Sequence, residues 1–226
     1  MPLARFKDLC IDAADPARIA GFWSSVLDRR ARTQGGEAVI EGDTTGHTVW
    51  VNRVPEAKTV KNRVHLDIYA RSLEELEALG AVVVDRDCGG GRWTVMADPE
   101  GNEFCAFLRP GPEGLPPERL HGLVVDSADP VAAAEWWGGV YGADVDHHDG
   151  RWATLERVPG MPIETMDFVP VPEARTVKNR LHWDVTAGDV DGLVGAGATV
   201  LRPAGELRWT VMADPEGNEF CVFPPE

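Results

Sequence analysis

The sequence predicts an α+β protein of four strand–helix–three-strand modules, paired into two domains with curved, mostly antiparallel sheets. Three internal repeats support this prediction: residues 92–107 recur at 208–223 with one difference, 54–67 recur closely at 171–184, and 8–16 match 122–130. Repetition over most of the 226 residues indicates two similar units of about 110 residues, each large enough for a hydrophobic core.

The first module of each unit is predicted to be a strand, a helix and a hairpin with one further strand. Asp15 and Pro16 supply a helix N-cap and a proline at the first helical position, and Asp129 and Pro130 repeat this pattern. Apolar side chains then recur at helical spacing and predict one buried stripe. In the first unit these residues are Ile19, Phe22, Trp23, Val26 and Leu27.

The second module follows the same plan with a shorter helix. Ser72 and Glu75 form a capping box, and Gly80 is placed to end the helix. The stretch Asp98-Pro99-Glu100-Gly101 has the residue types of a type I turn and predicts a closing hairpin between two strands. The corresponding helix of the second unit, near 189–197, is rich in glycine and is predicted to be shorter.

A segment rich in proline and glycine at 109–118 predicts a linker between domains at 1–108 and 119–226. A single module presents an open sheet that needs a partner. We therefore expect the two modules of each domain to pair and enclose a cup, with the helices outside it.

Composition limits the partners. The formal net charge of −15 disfavours nucleic acid and anionic membrane surfaces, which leaves a small molecule or a protein as the expected partner. The chain has no apolar run of the roughly 20 residues that span a bilayer, and its first residues do not resemble a secretory signal. We expect a cytoplasmic protein with reduced cysteines, either a monomer with pseudo-twofold domains or a homodimer.

Three motifs together resemble the vicinal oxygen chelate superfamily, which includes glyoxalase I, bleomycin-resistance proteins and extradiol dioxygenases. They are IDAADP at 11–16, KNRVHLD at 61–67 and DPEGNEFC at 98–105. The chain is similar to the glyoxalase-like domains common in actinobacteria. The resemblance covers nearly the whole chain and implies a cup that holds a divalent metal.

The resemblance implies metal ligands at three positions of each unit. The middle position carries His65 and His182, but the last-strand position carries Cys105 and Cys221 where relatives have glutamate. The first-strand position carries Asp8 in one unit and Gly122 in the other. His121 is adjacent to Gly122 but is expected on the opposite face of the strand.

Asp8, His65 and Cys105 are thus the predicted metal set, for Zn, Fe, Mn or Ni, and Glu103 or Glu219 is an alternative carboxylate. Against a metal, His65 and His182 can be buried residues that hydrogen-bond to Asp67 and Asp184. A third possibility is a nucleophilic Cys105 activated by His65. Cys10 is expected to be structural.

The candidate lining of the two cups differs between the units, because Trp50 and Trp183 have no aromatic counterpart. We predict binding of a small apolar or aromatic molecule in a cup whose usual metal site is degraded. The alternative is a metal-dependent lyase, isomerase or dioxygenase. The candidate ligand-binding residues are Trp50, Asn52, His65, Asp67, Glu103, Cys105, His182, Trp183, Asp184, Glu219 and Cys221.

Overall fold

The computed structural model describes residues 2–111, 113–173, 175–205 and 207–225. The elements of the first half are β1 (Arg5–Ala13), α1 (Pro16–Leu27), β2 (Ala31–Gln34), β3 (Glu37–Ile40), β4 (Val49–Arg53), β5 (Val64–Ala70), α2 (Leu73–Ala78), β6 (Val82–Cys88), β7 (Trp93–Ala97) and β8 (Glu103–Leu108). Those of the second half are β9 (Leu120–Ser127), α3 (Pro130–Tyr141), β10 (Asp144–His148), β11 (Trp152–Glu156), β12 (Thr165–Pro170), β13 (Leu181–Thr186), α4 (Val190–Gly195), β14 (Thr199–Arg202), β15 (Thr210–Ala213) and β16 (Glu219–Phe223). The four predicted modules are confirmed.

The helices begin where their capping residues predict. The Asp15 carboxylate accepts a hydrogen bond from the Arg18 backbone N–H at the start of α1, and Ser72 does the same for Glu75 at the start of α2. Helix α4 has six residues, the same length as α2, so the prediction that its glycines make it shorter is wrong. Among the described residues, no helix is both long and apolar enough to cross a bilayer.

Two eight-stranded mixed sheets form, and each draws four strands from each half of the chain. Sheet A has the order β14-β15-β16-β13-β1-β4-β3-β2, and sheet B the order β10-β11-β12-β9-β5-β8-β7-β6. The expected pairing of the two modules within one half is therefore wrong. The seams are antiparallel pairs, β1 with β13 and β5 with β9. The similar strands β5 and β13, which follow the repeated KNR sequence, each pair with the first strand of the other half.

The core lies between the two sheets, together with α1 and α3. Trp23 on α1 packs against Phe104 of sheet B at a ring distance of 5.3 Å. Trp137 on α3 packs against Phe220 and Trp183 of sheet A at 5.0 Å. Each long helix thus contacts both sheets and buries its apolar stripe there. The opposite sides of the sheets, which we call outer face A and outer face B, carry the polar residues and are the interiors of the predicted cups.

The DPEG hairpins connect the modules of one half. Gly101 N–H donates to the Asp98 carbonyl at 2.8 Å, which closes the predicted turn. The buried Asp98 carboxylate also accepts from Trp23 Nε1 at 3.3 Å, and Glu100 accepts from the backbone N–H groups of Ala14 and Asp15. The second half repeats these contacts around Asp214. The hairpin therefore fastens α1 to the second module although their strands lie in different sheets.

Two loops that contain the repeated Lys-Asn-Arg sequence, at 61–63 and 178–180, connect the halves; we call them the KNR loops. Arg180 donates to the Glu56 carbonyl at 2.6 Å and to Glu100 at 2.9 Å, both in the first half. Arg63 donates to the Glu173 carbonyl at 2.7 Å, in the second half. The two longest repeated stretches thus have architectural roles, one within each half and one between the halves.

Candidate active site on the outer faces

Outer face A carries a group of side chains that can ligate a metal. Cys10 on β1 and His182 on β13 are paired in register, and Asp184 is paired with Cys221 on β16. The donor atoms of Cys10, His182 and Asp184 all lie within 4.8 Å of one another. Cys221 Sγ is 3.9 Å from His182 Nε2 and borders the same group. We call these four residues cluster A.

The charges of cluster A are set by burial. Cys10 Sγ lies 3.6 Å from Asp184 Oδ2 and donates to it. Burial, with the nearby charge of Asp8 as a second cause, raises the pKa of Asp184 to about 8. Burial also raises the pKa of the Cys10 and Cys221 thiols and lowers the pKa of His182. The protein on its own therefore favours neutral side chains in this group.

Asp8 and Trp50 lie beside cluster A. Trp50 Nε1 donates to Asp8 Oδ2 at 3.0 Å, and Lys7 donates to the same oxygen. Asp8 is 1 % exposed, whereas Trp50 is 40 % exposed. Trp50 therefore covers Asp8 and leaves much of its own ring facing solvent. Asn52, the next residue of β4 on this face, is paired in register with Asp12 and is half-buried.

Outer face B carries cluster B, which consists of His65, Asp67 and Cys105. Their donor atoms lie within 4.8 Å of one another, and His65 Nε2 is 3.6 Å from Asp67 Oδ1. Burial, and to a smaller extent the charge of Lys61, lowers the pKa of His65 to about 3. Burial raises the pKa of Asp67 to about 8 and that of the Cys105 thiol as well. At neutral pH all three groups are uncharged, which disfavours a reactive thiolate at Cys105.

Face B has no side chain at the position of Asp8, because that position is Gly122. A Cβ atom on Gly122 would lie 3.4 Å from both Asp67 Cβ and Asp167 Oδ2, so the glycine leaves room between the two acids. Asp167, at the position of Trp50, accepts from Thr154 Oγ1 at 2.6 Å and from Thr165 Oγ1 at 2.8 Å. The two faces therefore share a histidine, an aspartate and a cysteine but differ around them.

The metal set predicted from Asp8, His65 and Cys105 is not assembled. Asp8 is in sheet A, whereas His65 and Cys105 are in sheet B, because the modules pair across the halves. Asp8 is instead a neighbour of Asp184 in register. His182 and Cys221 lie together, as expected.

Three other predicted site residues have structural roles. Glu103 accepts from Lys58 and from the Asn62 backbone N–H, and Glu219 is bound in the same way by Arg175 and Asn179. These carboxylates hold the KNR loops and do not join the clusters. Trp183 is fully buried on the inner side of sheet A, since alternation along β13 places it opposite His182 and Asp184.

Sequence reasoning missed two residues of the outer faces. Cys10 lies two residues after Asp8, and strand alternation from Asp8 is the signal that could have identified it. His121 was expected on the inner face. A β-bulge pairs Asp67 with Gly122 and Ile68 with Leu120, so His121 is the extra residue. Its ring lies 4.7 Å from that of Tyr69 and 5.1 Å from that of Phe107.

Each outer face ends in a stacked aromatic pair. Trp209 and Phe223 stack at 5.2 Å beside face A, and Trp93 and Phe107 stack at 5.6 Å beside face B. The pair on face A borders an open cavity of about 690 Å³. Its other lining residues include Lys7, Thr186 and Arg208. Thr186 and Phe223 follow Asp184 and Cys221 by two residues on the same strands, so the cavity adjoins cluster A.

The donor sets fit the divalent metal that the resemblance implies. Imidazole, carboxylate and thiol are ligands that zinc accepts, and both groups are small enough for one ion. Among the described residues, the buried polar atoms without a hydrogen-bond partner include Asp67 Oδ1 in cluster B and His182 Nδ1 and Asp184 Oδ1 in cluster A. A cation would favour the ionised carboxylates and thiolates that burial alone disfavours.

Comparison with known proteins identifies the class. A family model described as a glyoxalase-like domain matches residues 8–107 and again residues 122–223. The chain belongs to the glyoxalase-like domain family, with two copies of the domain, within the vicinal oxygen chelate superfamily.

Solved structures share the whole architecture at low sequence identity. Glyoxalase I from Zea mays is 15 % identical with a TM-score of 0.68, and the match covers 97 % of this chain and 92 % of that one. A putative dioxygenase from Bacillus subtilis is 14 % identical with a TM-score of 0.65, covering 99 % and 86 %. A search of curated protein sequences gave no significant match. At these identities the likeness is one of fold, and it does not specify the reaction.

Proposed function

We propose that the chain binds a small, flat aromatic molecule in the cavity beside outer face A. One observation carries this proposal: the stacked pair of Trp209 and Phe223 borders a cavity of about 690 Å³. A volume of this size suits a small ligand, and aromatic walls with a few polar groups are typical of such sites. Arg208 adds positive charge to the lining, which favours a ligand with an anionic group, whereas the charge of Lys7 is balanced by Asp8.

The rest of face A supports the same proposal. Lys7 Nζ lies 4.2 Å from the centre of the Phe223 ring and also pairs with Asp8, so the floor of the cavity is preorganised. We further propose that the protein acts in the cytoplasm, where its four free cysteines stay reduced. Both sheets are complete within one chain, which favours a monomer.

A test uses two matched variants and two probes, naphthalene carboxylate and its neutral amide. Trp209→Leu should lower affinity for the carboxylate at least about tenfold, whereas Trp93→Leu on face B should leave it unchanged. With the carboxylate probe at a free concentration of 100 times its Kd, the free energy of unfolding of the wild-type protein should rise by about 2.7 kcal/mol. An equal loss of affinity in both variants would contradict binding at this cavity. So would the absence of any rise in protein stability with either probe.

The second function is that of a metal-dependent lyase, isomerase or dioxygenase, and the two donor clusters favour it. On face A, Cys10, His182, Asp184 and Cys221 would hold the ion. A divalent ion supplies Lewis-acid polarisation of a substrate oxygen. Trp50 and Lys7 would orient Asp8 toward that substrate, and Trp209 and Phe223 would position its flat part. Metal analysis of protein purified without chelator, with His182→Ala as comparison, distinguishes this function from metal-free binding.

A further inference from the structure

Clusters A and B can be compared at one pair of equivalent strand positions, which holds Cys10 in sheet A and Val124 in sheet B. His182 faces Cys10 across the β1–β13 seam, and His65 faces Val124 across the equivalent β5–β9 seam. Val124 is 5 % exposed and Cys10 is 4 % exposed, so both sites are equally buried. Face A therefore holds two cysteines around one histidine, whereas face B holds one.

We propose that cluster A is a thiolate-rich site for a thiophilic metal ion such as Zn²⁺, with Cys10 as a ligand. Cys10 and Asp184 both lie outside the three ligand positions that the superfamily resemblance marks. The proposal concerns the metal that the site selects and does not depend on binding of an aromatic molecule in the adjoining cavity.

The composition of cluster A determines this selectivity. Two sulfur atoms, one imidazole and one carboxylate are a set that favours Zn²⁺, Cd²⁺ or Co²⁺ over Mg²⁺ and Ca²⁺, which prefer oxygen ligands. On binding, each thiol and the Asp184 carboxyl release their protons to solvent, and each ligand atom donates an electron pair to the ion. Cys10, His182 and Asp184 would supply three ligands, and Cys221, which borders them, would supply the second sulfur.

The unpartnered atoms point to the same site. Asp184 is 3 % exposed and His182 is 7 % exposed, and among the described residues Asp184 Oδ1 and His182 Nδ1 have no hydrogen-bond partner. A buried polar atom without a partner destabilises the folded protein, and more so if it is charged. An ion at the cluster would bind the carboxylate and offset part of this cost.

The chain supplies its own matched variants. Cys10→Val reproduces in face A the residue that face B already accommodates, so we expect it to fold. Val124→Cys makes the reciprocal change in face B. Cys88→Ser is the control, because Cys88 is on β6, outside both clusters.

The experiment titrates Co²⁺ into chelator-stripped full-length protein and records the sulfur-to-cobalt charge-transfer absorption per bound ion, followed by displacement with Zn²⁺. His65→Ala disables cluster B in the proteins used to measure cluster A, which should then show a band of two-thiolate intensity. In that background Cys10→Val should halve the band and lower zinc affinity at least about 100-fold, because it removes a ligand. Cys88→Ser should leave both quantities unchanged, and Val124→Cys, made in protein that keeps His65, should raise the band of face B.

Two outcomes would overturn the proposal. One is the absence of any charge-transfer band in wild-type protein, and the other is a band that Cys10→Val leaves intact. If Cys10→Val unfolds, Cys10→Ser provides the same measurement, since serine keeps the size of the side chain but removes the sulfur. Binding of the naphthalene probes is measured separately, so failure of the metal site and failure of the proposed function give different results.

Discussion

The buried carboxyl of Asp67 makes the stability of the metal-free protein depend on pH. Burial raises its folded-state pKa to about 8, whereas the unfolded chain releases the same proton near pH 4. Between these values the folded state binds the extra proton, so stability falls as pH rises, by about 1.4 kcal/mol per pH unit. Integrated from pH 5 to 8, this effect amounts to roughly 3–4 kcal/mol.

Asp67→Asn removes the titration and keeps the shape of the side chain. The variant should therefore gain about 3–4 kcal/mol on wild type between pH 5 and pH 8. His65 acts in the opposite direction below about pH 6.5, because its pKa is lowered to about 3. Since His65 contacts Asp67, the difference between the two proteins is read chiefly above pH 6.5, where this effect is small.

The assay is urea unfolding at four pH values from 5 to 8, with a chelator present to exclude metals. Asp149→Asn is the control, since that side chain is exposed in a turn and should show no pH-dependent difference from wild type. A difference between Asp67→Asn and wild type that stays constant to within about 0.5 kcal/mol would refute the reasoning, because it would mean that Asp67 is ionised in the folded protein.

Three further substitutions test the architecture by urea unfolding. Asp98→Ala should cost about 3 kcal/mol, because it leaves several buried donors without an acceptor; a loss below about 1 kcal/mol would contradict its role in the hairpin. Arg180→Ala should cost about 2 kcal/mol by removing the bonds to Glu56 and Glu100, and no change would show that the halves are held together elsewhere. Gly160→Ala should cost at least about 2 kcal/mol, since its φ is +90° and a Cβ would lie 2.5 Å from the Phe6 carbonyl oxygen. Gly90→Ala, with φ +71° and open space, should cost less, and equal losses would contradict the close approach.

Much of the fold could be predicted from local patterns. Helix starts at Asp15 and Ser72, the turn at Asp98 and the four modules depend on residues close together in the chain, where capping and turn chemistry are readable. The alternation of apolar and polar residues likewise predicted that Asp67 shares a strand face with His65, and Glu103 with Cys105. These contacts are specified within one module, so its sequence is enough.

The site was less predictable because it depends on contacts between modules. A β-bulge at His121 reversed the expected face of that residue, and no sequence pattern here marks the bulge. Glu103 has the same residue type and face as a metal ligand, yet Lys58 and Asn62 bind it. Only the surrounding loop distinguishes the two roles.

The sequence by itself determined the four modules, their internal elements and the doubled domain. Tertiary structure decided which modules pair, and therefore which donors meet between the halves: Asp8 with Asp184, and Cys10 with His182. The physical reason is that a seam between strands of different halves depends on contacts far apart in the chain, which no local residue pattern specifies. Two kinds of contact occur together with this pairing of modules from different halves. Helices α1 and α3 each pack between both sheets, and arginine side chains bind residues of the other half.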